Sequence, residues 1–444
     1  MMTKSRLSIL QELTLYGVFL TVPLFRLGTE ILGSRSLTPA KILIGITLLL
    51  WLVNILINKD TATIVSLLRE KANLLILIFL VVTFMSLIHA RYIQDETFSE
   101  IMMRLKVLAL YFLIILVIKD RRTLKFAVIA FILGSLLTTG VGLYELTTGK
   151  AFFKETIRFG TVAPKQSEGL KLTTYGKAAR VQGLYSESGA HAYAMVLFTG
   201  LTLPWFFYST SKKIKIAVGI LLICYIMNII GTGARVGWVS LGCALIVFLL
   251  LLKHRFKYTI WVIVIISVIT IFLALSLMPH LPTFVRLQFT KDLSFSWRLD
   301  TYRQALEMIR DHPLMGVGPG NYLVEYHNYL RNTPGLSRVL MGWIHNSYLQ
   351  VWVENGTIGF LIFVSILTSI SLSLLAVYRG AIDLDMKILS LGLLVALAGF
   401  IVELSGNPII GQEPGWMILG LSVALIIIDR AEKQKKLPVE QGRV

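Results

Sequence analysis

The chain has 444 residues, of which 55% are hydrophobic and only 15% charged, with a mean hydropathy of +0.73. A soluble domain carries roughly 25% charged residues, so the composition excludes a water-soluble globular enzyme. The net charge of +18 suits the basic loops that orient a membrane protein or attraction for an anionic substrate; with no soluble basic domain to carry it, nucleic-acid binding is excluded.

Apolar runs recur along the whole chain, and a run of about 18 residues is a transmembrane candidate. About twelve spans are expected, near 13–32, 37–57, 73–90, 105–118, 126–146, 190–208, 216–231, 238–252, 258–278, 357–377, 388–404 and 416–429. The fold class is therefore an all-α polytopic membrane protein with a long, partly helical outer loop. The first run lacks a small-residue cleavage site, so no cleaved leader is expected. Cys224 and Cys243 lie inside apolar runs and could be bridged only if their helices touch. The spacing supports no metal site.

Lys and Arg in short loops set orientation. The segments KDRRTLK (119–125), SKKIK (211–215) and KHRFK (253–257), with Lys4, Arg6, Lys433, Lys435 and Lys436, fall on one side of a twelve-span chain. That side is read as cytoplasmic. The opposite side receives 147–189, GTGARVG (231–237), 279–344 and ELSGNPIIGQEPG (403–415). The domain plan is spans one to nine over 1–278 with an outer loop at 147–189, a large outer loop with short helices over 279–356, spans ten to twelve over 357–429, and a cytoplasmic tail over 430–444. The tail is expected to be disordered beyond Lys436. All unusual chemistry then faces away from ATP and nucleotide sugars, which are cytoplasmic.

In the long loop, Leu299, Tyr302, Leu306 and Ile309 recur at helical spacing, predicting a helix over 298–310 stopped by Asp311-His312-Pro313. Arg303 and Arg310 fit the outer face of a surface helix; Arg303 is also a substrate-binding candidate. Arg298, at the predicted helix start, opposes the helix dipole and is the better functional candidate. Gly316, Gly318 and Gly320 in GVGPGNY fit a tight turn with positive φ better than a phosphate loop, since no Lys-Ser/Thr follows. Arg235 in GTGARVG offers a rigid fork of donors suited to phosphate, between glycines that admit close approach. Arg180 and His191 lie in ARVQGLYSESGAHAYA, where a polar loop entering a span accounts for Arg180 as well as a functional role does, and a satisfied interfacial histidine is the favoured reading of His191. His345 opens HNSYLQVWVENG, with Leu349 and Trp352 at helical spacing, so it is expected on the face of a short helix against the membrane, with Asn346 and Tyr348 as polar neighbours. An imidazole titrates near neutrality and can accept a proton from a hydroxyl. Glu354-Asn355-Gly356 is expected to break the helix. Glu403 and Glu413 are read as solvated or paired carboxylates.

Arginines and one histidine, without paired carboxylates or metal ligands, suit departure of a pyrophosphate and activation of a hydroxyl. At these residues the chain resembles the bacterial O-antigen ligase and polymerase superfamily. The ligases carry His-[Asn/Ser/Gln], nine residues, Gly, two residues and [Gly/Thr/Tyr]. Here His345-Asn346 is followed at that spacing by Gly356 and Gly359. DHPLMGVGPGNY, the Arg of GTGARVG and the Arg of SWRLDTYRQAL are also similar to the family, over roughly 180–415. Where ligases have Leu three residues after the arginine, Trp238 stands here.

The resemblance implies a GT-C type glycosyltransferase of the bacterial inner membrane with its active site facing the periplasm. It would move a glycan from undecaprenyl pyrophosphate to a lipid A-core or other glycolipid acceptor, inverting at the sugar and needing no metal, cofactor or ATP. By the same resemblance His345 would assist the acceptor hydroxyl and Arg235 and Arg298 would hold the pyrophosphate, with Arg180, Asn346, Tyr348, Arg303 and His191 as binding candidates. The alternatives are a polymerase of lipid-linked repeats and a protein oligosaccharyltransferase; the short tail counts against the latter.

Overall fold

The computed structural model describes residues 6–24, 38–58, 70–91, 93, 95–152, 180–252, 293–329 and 344–440. All regular structure among them is helical. In chain order the helices are α1 (Arg6–Thr21), α2 (Pro39–Asn58), α3 (Lys71–Ser86), α4 (Asp95–Val117), α5 (Arg121–Thr148), α6 (Ser188–Tyr208), α7 (Lys212–Thr232), α8 (Arg235–Leu252), α9 (Leu293–Asp311), the single turn α10 (Tyr322–Glu325), α11 (Ser347–Gly380), α12 (Leu384–Glu403) and α13 (Glu413–Glu440).

Among the described residues, ten of these helices are long and apolar enough to cross a membrane: α1, α2, α3, α5 to α8, and α11 to α13. The protein is a multi-pass membrane protein. The expected fourth span is the apolar second half of α4, whose first half carries Asp95, Glu96, Glu100 and Arg104. The expected ninth span, 258–278, lies outside the described residues, as do Lys4 and KHRFK (253–257). The last span is longer than expected, because α13 continues as helix to Glu440 where the sequence suggested disorder beyond Lys436. Its first charged turns are held in place: Arg430 donates to Glu70 at 2.6 Å and Lys433 to Asp429 at 2.6 Å.

α6 and α12 form the centre of the bundle. From Ala190 to Pro204 every side chain of α6 is buried. The two helices approach closely where Gly200 lies against the backbone of Ala396, the small-residue contact that membrane helices use in place of a hydrophobic drive. Cys224 and Cys243 are free thiols.

The two ends of the bundle differ in chemistry. At one end Arg121 pairs with Asp383 at 2.9 Å and with Glu432, and Lys125 pairs with Asp385 at 2.8 Å. Lys125 also lies 5.5 Å from the Trp205 ring, near the end of α6. The start of α5, the end of α6, the start of α12 and the end of α13 therefore share this end, as the loop charges predicted. The starts of α6, α8, α11 and α13 share the other.

α11 is two helices meeting at Gly356, whose φ of 65° and ψ of −174° are not helical. The turn from Pro313 to Asn321 docks into this break. Thr357 N–H donates to Pro313 O at 2.9 Å, Val317 N–H to Val353 O at 2.9 Å and Gly318 N–H to Glu354 O at 3.0 Å. Groups that the interrupted helix leaves unpaired are thus satisfied by the turn. A Cβ on Gly356 would overlap the Leu314 carbonyl, so both the positive φ and the close approach require glycine. Gly316, Gly318 and Gly320 adopt φ of 72°, 91° and 75°, the tight turn expected.

A buried ion network fastens the break to α4. Arg104 donates to Glu354, to Asn355 Oδ1 at 2.8 Å and to Glu100 Oε1 at 3.2 Å. Asn355 in turn donates to Thr83 of α3 at 2.9 Å, and Gly320 N–H donates to Glu354 Oε1 at 3.2 Å. Removing one partner of such a network leaves an uncompensated charge, at a cost of about 3–5 kcal/mol. Arg104→Ala is therefore expected to lower the thermal midpoint of the detergent-solubilised protein sharply; an unchanged midpoint would show that the network does not hold the break.

Candidate active site

His345 lies two residues before α11 rather than on its face, because Asn346 is the N-cap and its side chain accepts from Leu349 N–H at 3.1 Å. A capping side chain fixes where the helix starts, and so fixes His345 immediately outside it. The next residue is bound on three sides. Ser347 N–H donates to Leu404 O at 2.7 Å, its hydroxyl donates to Asn407 O at 2.7 Å, and Ile409 N–H donates to that hydroxyl at 2.9 Å. Tyr348 donates its hydroxyl to Ile401 O at 2.8 Å. Asn346 thus caps α11 and Tyr348 ties it to α12, each a structural task.

α9 brings Arg298 to the same place. Its helix begins at Leu293, not at Arg298; the dipole argument for Arg298 lapses, since the residue sits in the second turn. Tyr302, one turn further on, donates to the His345 carbonyl at 3.2 Å. Residues four apart share a helix face, so Arg298 faces the histidine too. Its charge is felt there: burial, and then the Arg298 guanidinium, push the His345 pKa down from 6.5 to about 4. Both factors disfavour the imidazolium, and the ring is neutral at working pH.

Arg235 and Arg180 are exposed at the same end of the bundle. Arg235 is the first residue of α8, and the adjacent Val236 packs against Gly406 of the loop that holds Ser347. Val181 N–H donates to Gly231 O at 3.2 Å. Glu145 of α5, fully buried, accepts from Gln182 N–H and Gly183 N–H at 2.8 Å each. The segments bearing Arg180, Arg235, Arg298 and His345 are thereby joined by direct contacts. Arg303 lies outside the group, 76% exposed and 3.7 Å from Asp300. His191 packs beneath the Arg180 segment, against Gly183; it is fully buried and its Nε2 lies 2.9 Å from Asn228 Oδ1. The Asn228 amide donates to Thr139 O and Cys224 O, so its oxygen receives the histidine N–H, a packing role inside the bundle. Among the described residues no group of three or more His, Cys, Asp or Glu is placed to hold a metal ion.

Comparison with known proteins bears directly on this arrangement. Residues 220–364 match the family described as O-antigen ligase. Arg235, Arg298, His345, Gly356 and Gly359 all fall within the matched residues. A protein of Haemophilus influenzae described as uncharacterized is 26% identical over 198 residues, which is 41% of this chain and 49% of that protein. The match thus spans about half the length of that relative.

The matched stretch packs against residues outside it that sequence patterning alone does not single out. Arg104 and Glu145 precede the matched stretch; Arg104 lies in the charged half of α4, whereas Glu145 sits in the apolar helix α5, where an ionisable side chain is costly. That cost was the signal that could have found Glu145. Glu403, read as solvated or paired, is fully buried, with one oxygen accepting from Asn407 at 2.6 Å. If Glu145 anchors the Arg180 segment, Glu145→Ala should expose the Arg180–Val181 bond to trypsin. The check is a fragment beginning at Val181 in the variant and absent from wild type; equal protection in both would remove the anchor.

Proposed function

We propose that this protein is an O-antigen ligase-type glycosyltransferase, acting on a glycan carried by undecaprenyl pyrophosphate at the periplasmic face of the inner membrane. The observation that carries the reading is a neutral imidazole beside a guanidinium, His345 beside Arg298, within the family-matched stretch. The acceptor hydroxyl of a lipid A-core sugar approaches His345, which takes its proton. The oxygen attacks the anomeric carbon of the donor. The new C–O bond forms as the bond to the pyrophosphate breaks, and the electron pair leaves with the undecaprenyl pyrophosphate. Attack opposite the leaving group inverts the anomeric centre. Arg298 and Arg235 stabilise the charge that develops on the departing diphosphate, with Arg180 close by.

The same step serves a polymerase, for which the acceptor is a second lipid-linked repeat; Trp238 in place of the ligase leucine favours keeping that reading. Deleting the gene separates them. Long free lipid-linked polymer with bare core indicates a lost ligase, and core bearing a single repeat indicates a lost polymerase.

His345→Ala is expected to lower transfer in proteoliposomes by about 10²–10⁴-fold, the usual contribution of a positioned general base. Arg298→Ala and Arg235→Ala are expected to cost about 10²–10³-fold each, as for a lost charge-stabilising donor. Wild-type rates in any variant take that residue out of the mechanism.

The electrostatics give a further expectation. Arg298 disfavours a proton on His345, so a bound diphosphate, by neutralising that cation, favours one. The imidazole pKa, about 4 without ligand, should rise when inorganic pyrophosphate is added, and should also rise in Arg298→Gln. NMR titration of labelled histidine reads both; a pKa indifferent to pyrophosphate would mean that the anion binds elsewhere.

A further inference from the structure

A cavity of about 270 Å³ opens between α4, the glycine turn and the first half of α11. Its wall includes Glu96, Ser99, Glu100, Tyr322, Gln350 and Glu354. Ile344, the residue before His345, closes one side. Two features set it apart from the arginine-bearing surface nearby. First, it is acidic: Asp95, Glu96, Glu100 and Glu354 contribute carboxylates, and the neighbouring cation, Arg104, is spent on Glu100, Glu354 and Asn355. Second, two polar atoms in its wall have no hydrogen-bond partner among the described residues, Gln350 Oε1 and the Tyr322 hydroxyl. Both side chains are deeply buried, Gln350 at 5% and Tyr322 at 4% exposure.

Buried polar atoms are rarely left unpaired, and each one calls for an explanation. A wall of carboxylates, an amide oxygen and a phenol is rich in acceptors and repels anions. Its natural complement is a neutral ligand rich in O–H donors. Met103, Leu323 and Ile344 add apolar surface on the same wall, suited to the C–H face of a pyranose. The volume is below the roughly 300–1,000 Å³ of sites for drug-sized ligands, which fits one sugar ring. A donor sugar must stay with its diphosphate near the arginines, so a ring on the acidic side belongs to the other substrate.

We infer that this cavity is the acceptor subsite, holding an uncharged sugar ring by its hydroxyls beside His345. Only the word acceptor rests on the transferase reading; binding of a neutral sugar is measured without any transfer, so the two stand or fall separately.

The test is saturation-transfer NMR on the detergent-solubilised full chain with lactose as the probe. Wild type should transfer saturation to lactose, and inorganic pyrophosphate should not displace it. Tyr322→Phe and Gln350→Met should each weaken binding about fivefold, the loss of roughly one neutral hydrogen bond. Because both are buried and could disturb folding, Ser99→Trp provides an independent arm. Ser99 is exposed on α4 at the cavity rim, and an indole there should block lactose while the thermal midpoint stays at the wild-type value. The inference is overturned if lactose receives no saturation, if pyrophosphate displaces it, if binding appears only with added Ca²⁺, or if Ser99→Trp binds lactose as wild type does.

Discussion

The break in α11 at Gly356 is the constraint on which the rest depends. A membrane helix cannot leave backbone groups unpaired in hydrocarbon, so an interruption needs a second piece of chain to supply partners. Here the turn 313–321 supplies them through Thr357, Val317 and Gly318. The glycines of that turn and Gly356 let two backbones lie against each other without side chains between them. Through this junction the outer loop is tied to the bundle, and α9, which precedes the turn, is carried to a fixed place beside the start of α11.

That junction explains why two sequence features far apart in the chain belong together. The histidine motif ends in Gly356, and GVGPGNY has its spaced glycines for the same contact. Arg104 seals it from a third direction by pairing with Glu354 and bonding Asn355. Buried ion pairs of this kind add little stability over an apolar equivalent, but they are costly to break and favour one arrangement. The arrangement they favour here places Ile344 and His345 at the boundary between two electrostatic environments.

On one side of that boundary are arginines, and on the other are carboxylates. Burial, and then Arg298, keep the imidazole neutral, which leaves its lone pair available to a hydroxyl. In the proposed reaction the anionic leaving group and the neutral acceptor need opposite surroundings, and a site of uniform charge would serve only one of them. Separation by a single residue lets both meet at one imidazole.

Much of this was legible in the chain. Apolar runs set the all-helical membrane fold, since only helices or closed barrels satisfy the backbone in a bilayer. Among the described residues, the start of α5 lies with the ends of α6 and α13, as the loop charges grouped them, through the contacts of Arg121 with Glu432 and of Lys125 with Trp205. The spacing from His345 to Gly359 carried the family resemblance. What the sequence misjudged were local boundaries and pairings: Arg298 in the second turn rather than the first, His345 before its helix rather than on it, α13 helical beyond Lys436. Which distant groups Arg104, Glu145 and Gln350 would meet could not be read from the chain, because Asn355, Gln182 and Glu100 lie 251, 37 and 250 residues from them. Periodicity is a property of neighbours in sequence and survives in a single chain. Which buried charge meets which is decided only when the helices pack, and that packing determined the junction, the neutral histidine and the acidic cavity beside it.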